Sequence, residues 1–307
     1  MTAAEIGERV KTFASQFLLA GSCALLALTT QGFADNPFWP LTGEYVAEGT
    51  YVGEGDVARG RKAVRDFDEI DSDLRLVLTP RTKIGVLRLG AEWERLSFGF
   101  PEKTALPNTL QSFSAVMGLD MQLSDSILVR VEGQPGLYNS GLGHLDWDDF
   151  NLPFLVGGTY IYSPNLQIVL GVSVDVERRY PVIPAAGIRW KLGPQWLLNA
   201  VLPTPRLQYE VSRDVVLYAG ATVKETNYRV DEDFGSAHGI QRLNNAILTY
   251  SEIRTGAGVD WKISPIVTLT SEVGYQPYRD FDFYRANVRY HQDGAVPYGM
   301  ISLHGAF

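Results

Sequence analysis

Short runs in which apolar and polar residues alternate recur along most of the chain. In "TKIGVLRLGAEWE", Gly85, Leu87, Leu89, Ala91 and Trp93 share one face, and Arg88, Glu92 and Glu94 share the other. "SILVRVEGQ" sets Ile127, Val129 and Val131 against Arg130, Glu132 and Gln134. "LQIVLGVSVDVE" sets Leu166, Ile168, Leu170, Val172, Val174 and Val176 against Gln167, Gly171, Ser173, Asp175 and Glu177. A period of two is the signature of a β-strand with unlike faces. Outside the apolar stretch at residues 17–30, no segment shows helical periodicity. The fold class is therefore all-β.

A soluble sandwich alternates in the same way, so other features must place the sheet. The runs last about 10–16 residues, longer than the usual five or six. About eleven residues at roughly 3.3 Å each, tilted about 40°, span the apolar band of an outer membrane. Aromatic residues bracket the turns: Trp190 and Trp196 flank "KLGPQ", Tyr160 and Tyr162 precede "SPN", and Trp261 precedes "KISP". Rings at strand ends suit a membrane–water girdle. Connection lengths also sort by parity. Tight turns fall at residues 79–82, 123–126, 162–165, 191–195, 212–214 and 263–265. The connections between them include every long one, at residues 53–65, 97–108, 138–149, 225–244 and 276–296, and two short ones near residues 178–181 and 202–206. Short turns on one side and long loops on the other mark a transmembrane antiparallel β-barrel. Six turns and seven loops give fourteen strands, an even number with both ends on the turn side. Twelve strands is the alternative, because the first strand and the segment at residues 281–290 are the weak links.

The N-terminus follows a different logic. Arg9 and Lys11 precede the apolar stretch "FLLAGSCALLALTT", and "GFA" offers small residues for cleavage after Ala34. Residues 1–34 read as a cleavable signal peptide. Residues 35–42 then form a periplasmic lead-in, and residues 43–307 the barrel. "LAGSC" at Cys23 faintly resembles a lipidation signal, but apolar sequence continues past it and Ala20 stands where a larger aliphatic is usual. Cys23 is the sole cysteine of the 307 residues, so cleavage leaves a chain without disulfides. The net charge of −8 excludes the clustered basic footprint of a nucleic-acid binder. Acidic runs at residues 66–73, 144–149 and 231–233 read as solvated loops.

Charges within apolar strands carry more information. Arg88, Glu92, Glu94, Arg130, Glu132, Asp175, Glu177, Arg189, Arg206, Glu210, Glu252 and Arg254 lie in or at the ends of such strands. An Arg or Lys facing lipid at the bilayer midplane costs roughly 2–4 kcal/mol. A dozen such penalties exceed the stability of most domains, about 5–15 kcal/mol. Arg88, Glu92, Arg130, Glu132, Asp175, Arg189, Glu252 and Arg254 are therefore assigned to a lumen or its rims. Their mixed signs fit two readings, a hydrated path and a plugged interior of ion pairs. Pro181, Pro184, Pro203 and Pro205 sit at strand ends or bends and lower the wall at two hairpins. His144 beside Asp146, Asp148 and Asp149 could take a hard divalent cation, though a solvated loop is the plainer reading. "GSAHG" holds Ser236 and His238 but is not a nucleophile elbow. No catalytic residue, cofactor or metal site is assigned.

Several stretches together resemble a family of bacterial outer-membrane β-barrels grouped as a domain of unknown function. They are "QPGLY", "DDFNLP", "IPAAGIRW", "LPTPRLQYEVS" and the terminal Phe307. The resemblance implies the barrel and the bacterial outer membrane, and no activity. The leading expectation is a porin-like passive channel or uptake pore for small solutes. The alternatives are a structural or surface-binding barrel with a plugged lumen and, less favoured, a membrane-embedded hydrolase. Expected partners are outer-membrane lipid, lipopolysaccharide and the barrel-assembly machinery. The ending "PYGMISLHGAF" reads as a last strand, with Ile301, Leu303, Gly305 and Phe307 outward and Phe307 serving as the assembly signal.

Overall fold

The structure is a computed structural model that describes residues 42–101, 104–141 and 146–307. The expected signal peptide and the lead-in up to residue 41 lie outside the described residues. No described helix is long and apolar enough to cross a membrane; the chain crosses with strands.

Fourteen antiparallel strands follow one another around a closed sheet. They are β1 (Gly43–Arg59), β2 (Lys62–Leu78), β3 (Val86–Gly99), β4 (Thr109–Ser124), β5 (Ile127–Gly133 and Gly136–Asn139), β6 (Phe150–Asn151 and Phe154–Ser163) and β7 (Leu166–Val174). Then come β8 (Val182–Lys191), β9 (Trp196–Ala200), β10 (Arg206–Glu210), β11 (Val215–Arg229), β12 (Ile247–Ser264), β13 (Val267–Phe283) and β14 (Val288–Asp293 and Val296–Ala306). The interruptions in β5 and β6 fall at Pro135 and Pro153, which have no N–H to give a ladder. Their carbonyls still accept, from Ala115 and Gln134, both at 2.9 Å.

Closure is made by β14 against β1, in register from Glu44 opposite Ala306 to Val52 opposite Tyr298. The last rung joins the two ends: Gly43 and Phe307 exchange N–H···O bonds of 2.9 Å each. The Phe307 ring lies against Gly43, where a Cβ would stand 2.6 Å from Cζ. Only glycine leaves room for it. Outward positions carry exposed apolar side chains such as Leu89, Met117, Leu170, Leu217 and Val273, and Trp190, Trp196, Trp261, Tyr160 and Tyr162 ring the turn end. An apolar exterior, an aromatic girdle and a closed ladder make this a transmembrane barrel.

Two connections expected as long loops, residues 53–65 and 276–296, are largely strand. Gly53 and Gly55 mark register shifts in β1 rather than a loop, since a bulge also favours glycine. The acidic run at residues 66–73 is likewise strand. It lies within β2, and its alternate residues Glu69, Asp71 and Asp73 enter the barrel instead of solvent.

The wall is uneven. The 17 residues of β1 extend roughly 55 Å along the chain, and the five of β9 only about 17 Å. Above the low side, β5 and β11 meet through a parallel pairing of Asn139 with Arg229. Ser140 N–H donates to the Arg229 carbonyl at 3.0 Å. The tall strands thus close into a narrower upper barrel. Phe67, Phe98, Tyr228, Tyr250 and Phe281 fill it, together with Leu106 and Leu243 from the capping loops. Phe98 and Phe281 meet edge to face at 5.2 Å.

The seam gives a direct test. Ala47 of β1 stands opposite Leu303 of β14, and opposed Cα atoms lie about 4.5–5.5 Å apart, within disulfide range. In a Cys23→Ser background, oxidised Ala47→Cys/Leu303→Cys protein should keep its compact gel mobility after heating. Failure to cross-link would count against the closed seam.

Candidate functional site

The inward positions of the tall strands build one charged wall. Near the turn end, Arg88 of β3 donates to Glu132 Oε2 of β5 at 2.8 Å and to Glu44 Oε2 of β1 at 2.9 Å. Arg75 of β2 bridges Glu92 at 3.0 Å and Glu132 at 2.6 Å. Arg130 of β5 forks onto its direct partner Asp120 of β4, at 2.6 and 2.7 Å. On the opposite wall, the Arg206 guanidinium lies over the Tyr218 ring at 4.2 Å.

Beneath the aromatic filling lies a second, drier cluster. Arg279 and Glu69 pair at 2.9 Å, both fully buried, and Arg279 sits 4.6 Å over the Phe67 ring. Tyr250 Oη contacts Glu69 at 2.8 Å and Glu252 at 3.0 Å. Gln276 donates to Glu252 at 2.6 Å. Arg254 reaches Thr50 at 2.7 Å, Glu252 at 3.0 Å and Asp71 at 3.3 Å. Glu69, Asp71 and Glu252 bring carboxylate oxygens within 4.8 Å of one another, close enough to share a metal ion. Arg279, Arg254 and Lys224 already balance those charges, so the chain supplies its own cations there.

Among the described residues, cavities open along the lumen at two heights. One of about 580 Å³ near the turn end is lined by Leu128, Leu155 and Leu202 together with Asp120, Arg130 and Arg189. The other, about 390 Å³, sits at mid-height and runs from Asp73 and Glu94 across to Arg178, Pro203 and Glu225. Its far side is the low wall. Val223 N–H bonds to the Pro203 carbonyl at 2.9 Å; from there to Arg229, the edge of β11 makes no backbone bond toward β10 among the described residues. Side chains of the 175–181 connection fill that gap. Asp175 accepts from Asn227 at 2.6 Å and Asn151 at 3.0 Å. Arg178 pairs with Glu225 at 2.8 Å, and Glu177 with Arg229 at 2.5 Å. Charged side chains therefore latch a lateral window.

The structure places the sequence-assigned charges as follows. Arg88, Glu92, Arg130 and Glu132 form the lower network, Glu252 and Arg254 the upper one. Asp175 lies just past the end of β7 and belongs to the latch. Arg189 stands apart, donating to Asn199 at 3.1 Å in the lower cavity. Glu94 accepts from Tyr228 at 2.7 Å. Sequence reasoning missed Glu48, Glu69, Asp71, Asp73, Arg75, Lys224 and Arg279. The signal for the β2 group was present: Glu69, Asp71, Asp73 and Arg75 recur at every second position. The loop candidates are structural. Asp146 caps a short 3-10 turn and its N–H donates to Asp149 at 3.0 Å, while Asp148 accepts from Asn245 at 3.0 Å. His144 lies outside the described residues. His238 Nδ1 faces the Phe234 carbonyl at 2.7 Å and Ser236 Oγ accepts from Asn244 at 2.8 Å, so this Ser and His do not address each other.

The model of a family described as a domain of unknown function, DUF6268, matches residues 69–292. The chain belongs to that family. The match runs from Glu69 to Gln292, so it takes in the charged wall, the latch and the aromatic filling. No curated protein matches the chain in sequence. Among solved structures, an outer membrane channel from Pseudomonas putida F1 is similar over 87% of this chain and 95% of its own, with 9% identity and a TM-score of 0.48. The monoaromatic hydrocarbon channel CymD is similar over 86% and 88%, with 12% identity and a TM-score of 0.44. The NanC porin is similar over 85% and 98%, with 11% identity and a TM-score of 0.39.

Removing one member of the lower network should be costly, because Glu44 then loses its cation and Glu132 keeps only Arg75, in a recess where Arg88 is 4% exposed. Arg88→Ala should lower stability in urea by about 3 kcal/mol. Arg88→Met combined with Glu132→Gln should lose distinctly less.

Proposed function

We propose that this family member is a bacterial outer-membrane barrel for passive passage of small solutes. They would pass between the turn end and a lateral window beneath the aromatic filling. The observation that carries this reading is the mid-height cavity of about 390 Å³, whose lining reaches from the charged inner wall to Arg178, Pro203 and Glu225 at the window. An axial exit is unsupported, because Phe67, Phe98 and Phe281 occupy the upper barrel. The latch is polar and small, so its opening exposes few apolar contacts.

A second reading is favoured by one observation. The same aromatic filling and the ion-paired wall suit a plugged barrel that acts through its surface loops. Planar-bilayer recording separates the two. Arg178→Ala with Asp175→Ala removes Arg178–Glu225 and the Asp175 bonds and leaves the lower network of Arg75, Arg88, Glu92 and Glu132 intact. This variant should show larger or more frequent conductance steps than the parent protein. Silence from both would favour the plugged barrel.

Assembly belongs to the same proposal. Phe307 completes the closing rung and points its ring outward at the turn end, where the barrel-assembly machinery would read it. Outer-membrane lipid and lipopolysaccharide would then surround the exterior. Deleting Phe307 should reduce the heat-modifiable form in the outer membrane several-fold; undiminished insertion would exclude this role.

A further inference from the structure

β1, β2 and β3 set three carboxylates side by side on the inner wall. Glu48 is the direct cross-strand partner of Asp73, and Asp73 is that of Glu94. Opposed side chains on one face stand about 4.5–5.5 Å apart at Cβ, and like charges there repel. Glu94 is compensated by Lys224, at 2.5 Å. Glu48 and Asp73 make no hydrogen bond or ion pair among the described residues, and Asp73 Oδ1 is shut off from solvent without a partner.

The neighbouring cations are already engaged. Lys224 lies between Asp71 and Glu94. Arg254 is divided among Thr50, Asp71 and Glu252, and Arg178 serves Glu225. Asp71 is 4% exposed, and its Oδ1 is also unpartnered. These oxygens belong to residues that line the mid-height cavity, whose other lining includes Ser112, Ser114, Thr222 and Tyr138. A cavity of about 390 Å³ holds far more than one ion, since a water occupies about 30 Å³. Carboxylate oxygens without a contact partner, hydroxyls and that volume share one complement.

We propose that the mid-height cavity binds a small organic cation carrying a primary ammonium group. Glu48 and Asp73 take its charge, and the hydroxyls of Ser112 and Ser114 beside them and of Thr222 across the cavity take its polar remainder. This rests on the passage reading and names the solute class that the route selects.

The test is calorimetric titration of the purified, folded barrel in detergent with 1,4-diaminobutane. The neutral 1,4-butanediol and Mg²⁺ serve as comparisons. Saturable binding of the diamine alone is expected, at least about tenfold weaker in Glu48→Gln and in Asp73→Asn. Both substitutions relieve repulsion, so the compact gel band should persist; if Asp73→Asn does not fold, Glu48→Gln carries the comparison. No diamine heat, equal heat from the diol, displacement by Mg²⁺ or binding indifferent to the substitutions would each overturn the proposal. Bilayer recording on the same preparation keeps the two readings apart. Conductance without diamine binding removes this site and leaves passage standing; diamine binding without conductance does the reverse.

Discussion

Everything inside this protein depends on β14 pairing with β1. Lipid offers no partner for a backbone N–H or C=O, so a sheet that crosses a membrane must end where it began. The exchange between Gly43 and Phe307 is the last rung of that ladder, and with it no edge along the seam is left unpaired. Once the sheet is closed, alternation becomes a sorting rule. Every second residue meets lipid, and the remainder share an interior that must reconcile their charges.

Unequal strand length then shapes the interior. A barrel of even height would be a plain tube. Here β9 and β10 stop after five residues each, and the taller strands close on one another above them. The contraction brings Phe67, Phe98 and Phe281 into contact and leaves a gap at the edge of β11. The same geometry that blocks the axis opens the side. The chain fills that side with Asp175, Glu177 and Arg178, which bridge it to Asn151, Asn227, Arg229 and Glu225.

The charged wall is not an argument for high stability. Desolvation offsets much of the gain from a buried ion pair. Its effect is on specificity: a lumen lined by Arg75, Arg88, Glu92 and Glu132 admits one register of the surrounding strands, because a one-residue slip turns those charges into lipid. The Glu48–Asp73–Glu94 row runs against this economy, since neighbouring like charges raise the energy of the fold. Such a local conflict is characteristic of a functional position.

Sequence alone determined the periodicity, a strand number of fourteen with twelve left open, the tight turns on one side, and the reading of the chain end as a last strand. These follow from short-range rules, namely period two and the chemistry of turns. The strand nature of residues 66–73 was hidden for an equally physical reason. An acidic stretch looks the same whether its carboxylates face water outside a protein or an interior walled by Arg and Lys. The partners that decide between the two, Lys224, Arg254 and Arg279, lie more than 150 residues away along the chain. Only the tertiary structure could bring them together, and only it could show that the tall strands close above the low ones, because heights compare across strands that never neighbour one another in sequence.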